Sequence, residues 1–283
     1  MDSINQSEIT LSKGDKSMLI NTINKKGFFL EEKAYSLLSQ RNGLFDLKKN
    51  FIPENYNLAF PDDRIEIDLI FMQDHKNLII ECKKTDFAWV FPRSLVGDEN
   101  TNYIFEYEDG MRVRSFQEKS FKICYSEPME IIVNEDGTLA PHSNENKFLK
   151  TQSRQEDPIH RAVKRVLLQT KAFRWEPESR KPIAFFIPII LTNAPLLFLD
   201  YDSKQIDKES NLVDYNSLKK VKAVVYNYPE ILNWPSAKEE RSVKSIFIVN
   251  INYFTDFLDW ILLQDLSTLS GARKITNQFS IFS

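Results

Sequence analysis

The chain has 283 residues, 42% hydrophobic and 12% aromatic, with 37 Lys and Arg against 40 Asp and Glu, a net charge of -3 and a pI of about 5.8. That length and apolar content suit one large domain with a sizeable core, and the slightly acidic balance excludes a uniformly basic nucleic-acid glove. Seven glycines, with no G-x-G-x-x-G and no G-x-x-x-x-G-K-[ST], exclude nucleotide-binding folds built on glycine-rich phosphate loops.

The opening segment MDSINQSEIT has no basic stretch followed by an apolar one, and the longest apolar run, IAFFIPIIL at 183–191, is about half a membrane span. The expectation is a cytoplasmic protein with no membrane partner. Cys82 and Cys124 are too few for a disulfide framework, and His75, His142 and His160 show no zinc-ligand spacing. Both cysteines are expected to be reduced.

In chain order, residues 17–41 read as helix, broken near Gly27, because Phe28, Leu30, Ala34, Leu37 and Leu38 recur at spacings of three and four. Glu31 falls on that apolar stripe; Glu32 falls on the wetter side. RIEIDLIF at 64–71 alternates, with Ile65, Ile67, Leu69 and Phe71 on one face and Glu66, Asp68 and Ile70 on the other. QDHKN at 73–77 is a polar turn, and LIIECKK resumes as a second strand in which Glu81 and Lys83 share a face.

Residues 92–150 read as a β-rich insertion, with Asp109-Gly110 and a later Asp-Gly marking hairpins. Asp157-Pro158 then opens a helix to about 172, with Ile159, Val163, Val166, Leu167 and Thr170 inward and Arg161, Lys164, Arg165 and Gln169 on the other face. The stretch 160–181 carries seven Lys and Arg, Lys171 among them, against two Glu. A phosphate backbone would sit there, although a solvated helix face has the same composition. Three further apolar strands and a terminal helix follow. With no repeat and no Pro/Gly/Ser linker, the reading is one domain over 1–283, α/β, with a mixed sheet flanked by helices.

Asp68 and Glu81 come from neighbouring strands otherwise rich in apolar residues, where an ion is costly unless paired or coordinated. Two such carboxylates aimed at one point make a hard oxygen site for Mg²⁺ or Mn²⁺, and a lysine beside them can act on a water or on charge building at a phosphate. Phosphodiester hydrolysis needs that set.

Asp68, twelve residues, then Glu81-Cys82-Lys83 resembles the PD-(D/E)xK nuclease superfamily, the restriction-endonuclease-like fold. KGFFLEEKAYSLL resembles the family's first helix, and IPIILTNAPLLFLD resembles the strand and edge strand after the active-site hairpin; together the likeness covers roughly residues 27–91 and 155–265. It implies an αβββαβ core and a Mg²⁺- or Mn²⁺-dependent endonuclease. Its catalytic residues would be Asp68, Glu81, Lys83 and Glu31, with the metal held by Asp68, Glu81, Glu31 and the main-chain carbonyl of Cys82. On the basic helix face Arg161, Lys164, Arg165, Gln169 and Lys171 would hold nucleic acid, DNA ahead of RNA, with a homodimer or larger complex as the further partner expectation.

Two departures stand beside the likeness. The 92–150 insertion replaces a short connection, and the Q-x-x-x-Y element of the exonuclease branch is met only by QTKAF, Gln169 to Phe173. Glu31 reads equally well as a helical surface acid. Trp89 and Phe91 read as core or as base-stacking residues, and His160 as a surface residue. The rival function is a nucleic-acid-binding or protein-interaction module that does not cut.

Overall fold

The structure, a computed structural model, describes residues 28–41, 43–51, 65–94, 103–109, 112–118, 123–124, 128–133, 139–141, 158–174, 183–201, 218–232 and 240–263, together with Ser12, Gly14, Ser17 and Met18. Helix α1 spans Phe28–Ser39. Residues 19–27, where the sequence suggests a break at Gly27, lie outside the described ones. Leu30, Ala34 and Leu38 are buried along one side of α1, at the spacing of four that a helix turns inward.

Strands β1 (Leu44–Phe51), β2 (Ile65–Gln73) and β3 (Lys76–Lys83) form an antiparallel meander. Asp74 turns β2 into β3 with a φ of 52°, left-handed backbone that a short polar side chain tolerates. Strand β10 (Ile183–Thr192) lies parallel to β3, reached through helix α2 (Pro158–Arg174). Beyond β10 come β14 (Glu240–Asn250), parallel to it, and β13 (Ala223–Leu232), antiparallel to β14. Helix α3 (Phe254–Leu263) follows β14 after one 3-10 turn. Among the described residues the main sheet therefore mixes parallel and antiparallel pairs, as the near-continuous apolar strands predict.

The described residues between β4 and α2 are strands, and these enter both sheets. Strands β5 (Tyr103–Asp109) and β6 (Arg112–Glu118) form the hairpin that Asp109-Gly110 predicts. Strand β5 pairs with the first half of β10, and the short β7 (Ile123–Cys124) pairs with β13. A second sheet runs β12 (Leu218–Val221), β11 (Leu196–Tyr201), β4 (Ala88–Ser94), β8 (Met129–Val133) and β9 (Leu139–Pro141). Sequence periodicity does not reveal β1 and β4. Strand β11 also departs from the edge strand that the family likeness implies: it lies inside the second sheet, between β12 and β4. The turn at 193–195 redirects it, and there Trp89 N–H donates to the Pro195 carbonyl.

Two cores cover the two faces of the main sheet. On one, Leu30, Ala34 and Leu38 of α1 meet Phe254, Phe257 and Trp260 of α3 over Leu69, Leu78, Ile189 and Phe247. On the other, α2 packs beside residues of the second sheet, including Trp89, Phe91 and Phe198. Trp89 and Phe91 are fully buried, which settles them as core. Ile67 leaves the face of Leu69 and Phe71 and packs with Ile70 against the α2 side, just where the β2–β3 ladder ends.

Gly43 leads into β1 against Phe71: a Cβ there would lie 2.5 Å from the ring, which is itself buried. Gly43→Ala is expected to lower stability by about 1–3 kcal/mol, the usual range for overpacking; a denaturant midpoint unchanged from wild type would contradict this close approach.

Candidate functional site

The β2–β3 ladder runs from Gln73–Lys76 to Leu69–Ile80, and its next step would set Asp68 opposite Glu81 on the α2 side. The backbone ladder stops there and side chains take over. Cys82 N–H donates to Asp68 Oδ2 at 2.8 Å, and the two carboxyls bear on each other electrostatically. Asp68 is 7% exposed and Glu81 4%. Two acids so deep need compensation, and α2 supplies it.

Gln169 Nε2 donates to Glu81 Oε2 at 2.8 Å and to the Glu66 carbonyl at 2.7 Å. Arg165 Nε lies 3.2 Å from Glu81 Oε2, and its NH2 group 3.7 Å from Asp68 Oδ1. The family likeness gave Gln169 and Arg165 to nucleic acid; the structure places both against the acids. Gln169 is fully buried because it lies three residues after Val166 and four before Phe173, on the inward stripe of α2. That spacing was present in the sequence and would have found it.

Burial raises the Glu81 carboxyl to about 8, helped by the Asp68 charge and opposed by Arg165 and Gln169. Burial likewise raises Asp68, with the Glu31 charge pushing the same way, against the Cys82 N–H and Arg165. Glu31 therefore acts on Asp68 from α1, half-buried, while Glu32 stays exposed. Lys83 is half-buried on β3 and follows Glu81 by two residues, so the strand period gives them one face. Arg161 and Lys164 are exposed on α2, and Lys171 is half-buried in its last turn. His160 is half-buried with its ring edge-on to Tyr228 at 5.6 Å.

The loops just past β3, β10 and β14 are tied together. Asn193 accepts from Thr85 N–H at 2.9 Å and donates to the Thr85 carbonyl at 2.8 Å. Asn250 Nδ2 donates to the Ala194 carbonyl at 2.7 Å, while Asn250 Oδ1 accepts from Asn252 N–H. Lys33 of α1 reaches Asn252 Oδ1 at 3.1 Å, linking the Glu31 helix to the same end of the sheet.

Among the described residues no group of three His, Cys, Asp or Glu side chains is close enough to hold an ion. The donors present still suit a hard cation. Asp68 and Glu81 converge, Glu31 bears on Asp68 electrostatically, and the buried Gln169 Oε1 has no hydrogen-bond partner, leaving an acceptor unused beside Glu81. No described helix is long and apolar enough to cross a membrane. A scan against protein-family models and searches of curated proteins and of solved structures return no match.

Proposed function

We propose that the chain is a divalent-metal-dependent nuclease of the PD-(D/E)xK type, hydrolysing phosphodiester bonds in DNA ahead of RNA. The observation that carries this reading is the meeting of Asp68 and Glu81 from adjoining strands, both deeply buried and with the Arg165 guanidinium against both. With β4–β9 intervening between β3 and α2, the elements α1, β1, β2, β3, α2 and β10 occur in the αβββαβ order that the likeness implies, and β10 lies parallel to β3. It supports a restriction-endonuclease-like core.

Asp68 and Glu81 would hold Mg²⁺ or Mn²⁺ with the Cys82 carbonyl, and Glu31, which bears on Asp68 from α1, would have to approach them to add a further oxygen. Such a cation supplies Lewis-acid polarisation of a phosphoryl oxygen and lowers the pKa of a bound water. Lys83 Nζ would hold the attacking water in place while its proton passes to solvent, and would then stabilise the charge that builds on the phosphoryl oxygens. Gln169 holds Glu81 in its rotamer through Nε2. Arg161 and Lys164, exposed four and one residues before Arg165, grip neighbouring phosphates, and Lys171 extends that row.

Plasmid, oligonucleotide duplex and RNA incubated with the protein in Mg²⁺ or Mn²⁺ test the reading. Cleavage should vanish in EDTA and fall about 100-fold or more in Lys83→Ala, the usual span for a lost proton-handling group. Activity undiminished in that variant would remove Lys83 from the mechanism. A binding-only module would cut nothing under any of these conditions and would retain its nucleic acid.

A further inference from the structure

Arg165 is the least explained member of the site. A residue meant only to grip phosphate should point outward with Arg161 and Lys164, yet its guanidinium bridges both acids. Its side chain is 47% exposed, against 9% and 5% for Asp68 and Glu81, so it covers them from the solvent side. A guanidinium does not lose its proton in proteins, so the covering charge is permanent. Below it the helix is fixed: Ala162, Val163, Val166 and Gln169 are all buried. Only the flexible stem above Cα is free to turn.

Resting on the nuclease reading, we propose that Arg165 is a resident placeholder cation: it neutralises Asp68 and Glu81 while no metal is bound, and transfers to a substrate phosphate when a divalent cation takes the acids. Two positive centres a few ångströms apart repel at low dielectric, so the guanidinium and the cation compete for the same carboxylates. The residue turned away finds Arg161 and Lys164 on its own exposed helix stripe, a row already suited to phosphate. Metal binding and nucleic-acid binding are thereby coupled, each favouring the other through one side chain.

Calorimetric titration of Mn²⁺ into the full chain at pH 8, without nucleic acid, tests the competition. Arg165→Met should bind Mn²⁺ about fivefold or more tightly than wild type, within the ordinary range of coupling between sites. Arg165→Gln, which removes the charge while keeping an amide donor, should show the same gain. Anisotropy with a short DNA duplex supplies the second arm: loss of Arg165 should leave affinity nearly unchanged in EDTA and weaken it severalfold in Ca²⁺. Equal or weaker Mn²⁺ binding by both variants overturns the placeholder role while leaving the nuclease reading intact. No Mn²⁺ binding by wild type or variants overturns both.

Discussion

Glu81→Gln should abolish metal-dependent cleavage, by about 1000-fold or more, and at the same time make the folded protein more stable at pH 8. The first half follows from losing one of two converging oxygen ligands. The second follows from the cost of burying a carboxylate. In the folded chain Glu81 titrates at about 8, against an ordinary 4.5. Between those values the folded form holds a proton that the unfolded form has released, so stability falls as pH rises from about 4.5 through 8 and levels off above. Asp68, raised in the same direction, adds to the slope.

The glutamine removes that slope while still offering an oxygen to Gln169 Nε2, whose distance of 2.8 Å needs no rearrangement. The expected gain at pH 8 is on the order of 2 kcal/mol, about 4 °C in Tm for a chain of this size. Near pH 5, where Glu81 is protonated in the folded form, wild type and variant should melt within about 1 °C of each other. Thermal melts at both pH values, read beside the cleavage assay, decide it. A variant less stable than wild type at pH 8 would mean that the acid is not under the burial penalty described.

Trp260→Ala should produce the largest loss of stability, about 3–5 kcal/mol, as expected when a fully buried aromatic is truncated. Trp260 is 1% exposed, packs edge-on to Phe247 at 5.8 Å and lies 5.8 Å from Phe257; Phe257 in turn stands 5.1 Å from Phe247. The three rings join α3 to β14 under the same core that receives α1. A denaturant midpoint should drop without a change of slope, and Trp260→Phe should recover roughly half. Because α1 carries Glu31, metal affinity in Trp260→Ala should weaken only where the fold itself loosens.

How much of this was legible in the sequence depends on where the deciding force lies. The β2–β3 hairpin announced itself through period-two patterning and a polar turn, and the juxtaposition of Asp68 with Glu81 follows once that register is known. Strands β1 and β4 did not, because LFDLKKNF is too charged to alternate cleanly and AWVFPRS contains a proline. Which sheet β11 joins is decided by the turn at Asn193 just before it and by pairing with β12 and with β4, the latter distant in sequence. Arg165 is outward by helical period and still reaches the acids, since a long side chain near the rim of a helix can lean over a neighbouring strand end.

The paired hydrogen bonds between Asn193 and Thr85 have one more consequence. Thr85 stands two residues after Lys83, at the point where the chain leaves for the long excursion that returns at α2. Gripping both the amide and the carbonyl of that residue pins the end of β3 to the turn after β10 before the chain departs. Descendants of this chain could change length between the paired strands of the excursion without shifting the lysine against its acids, so long as that asparagine stays and β5 keeps its pairing with β10.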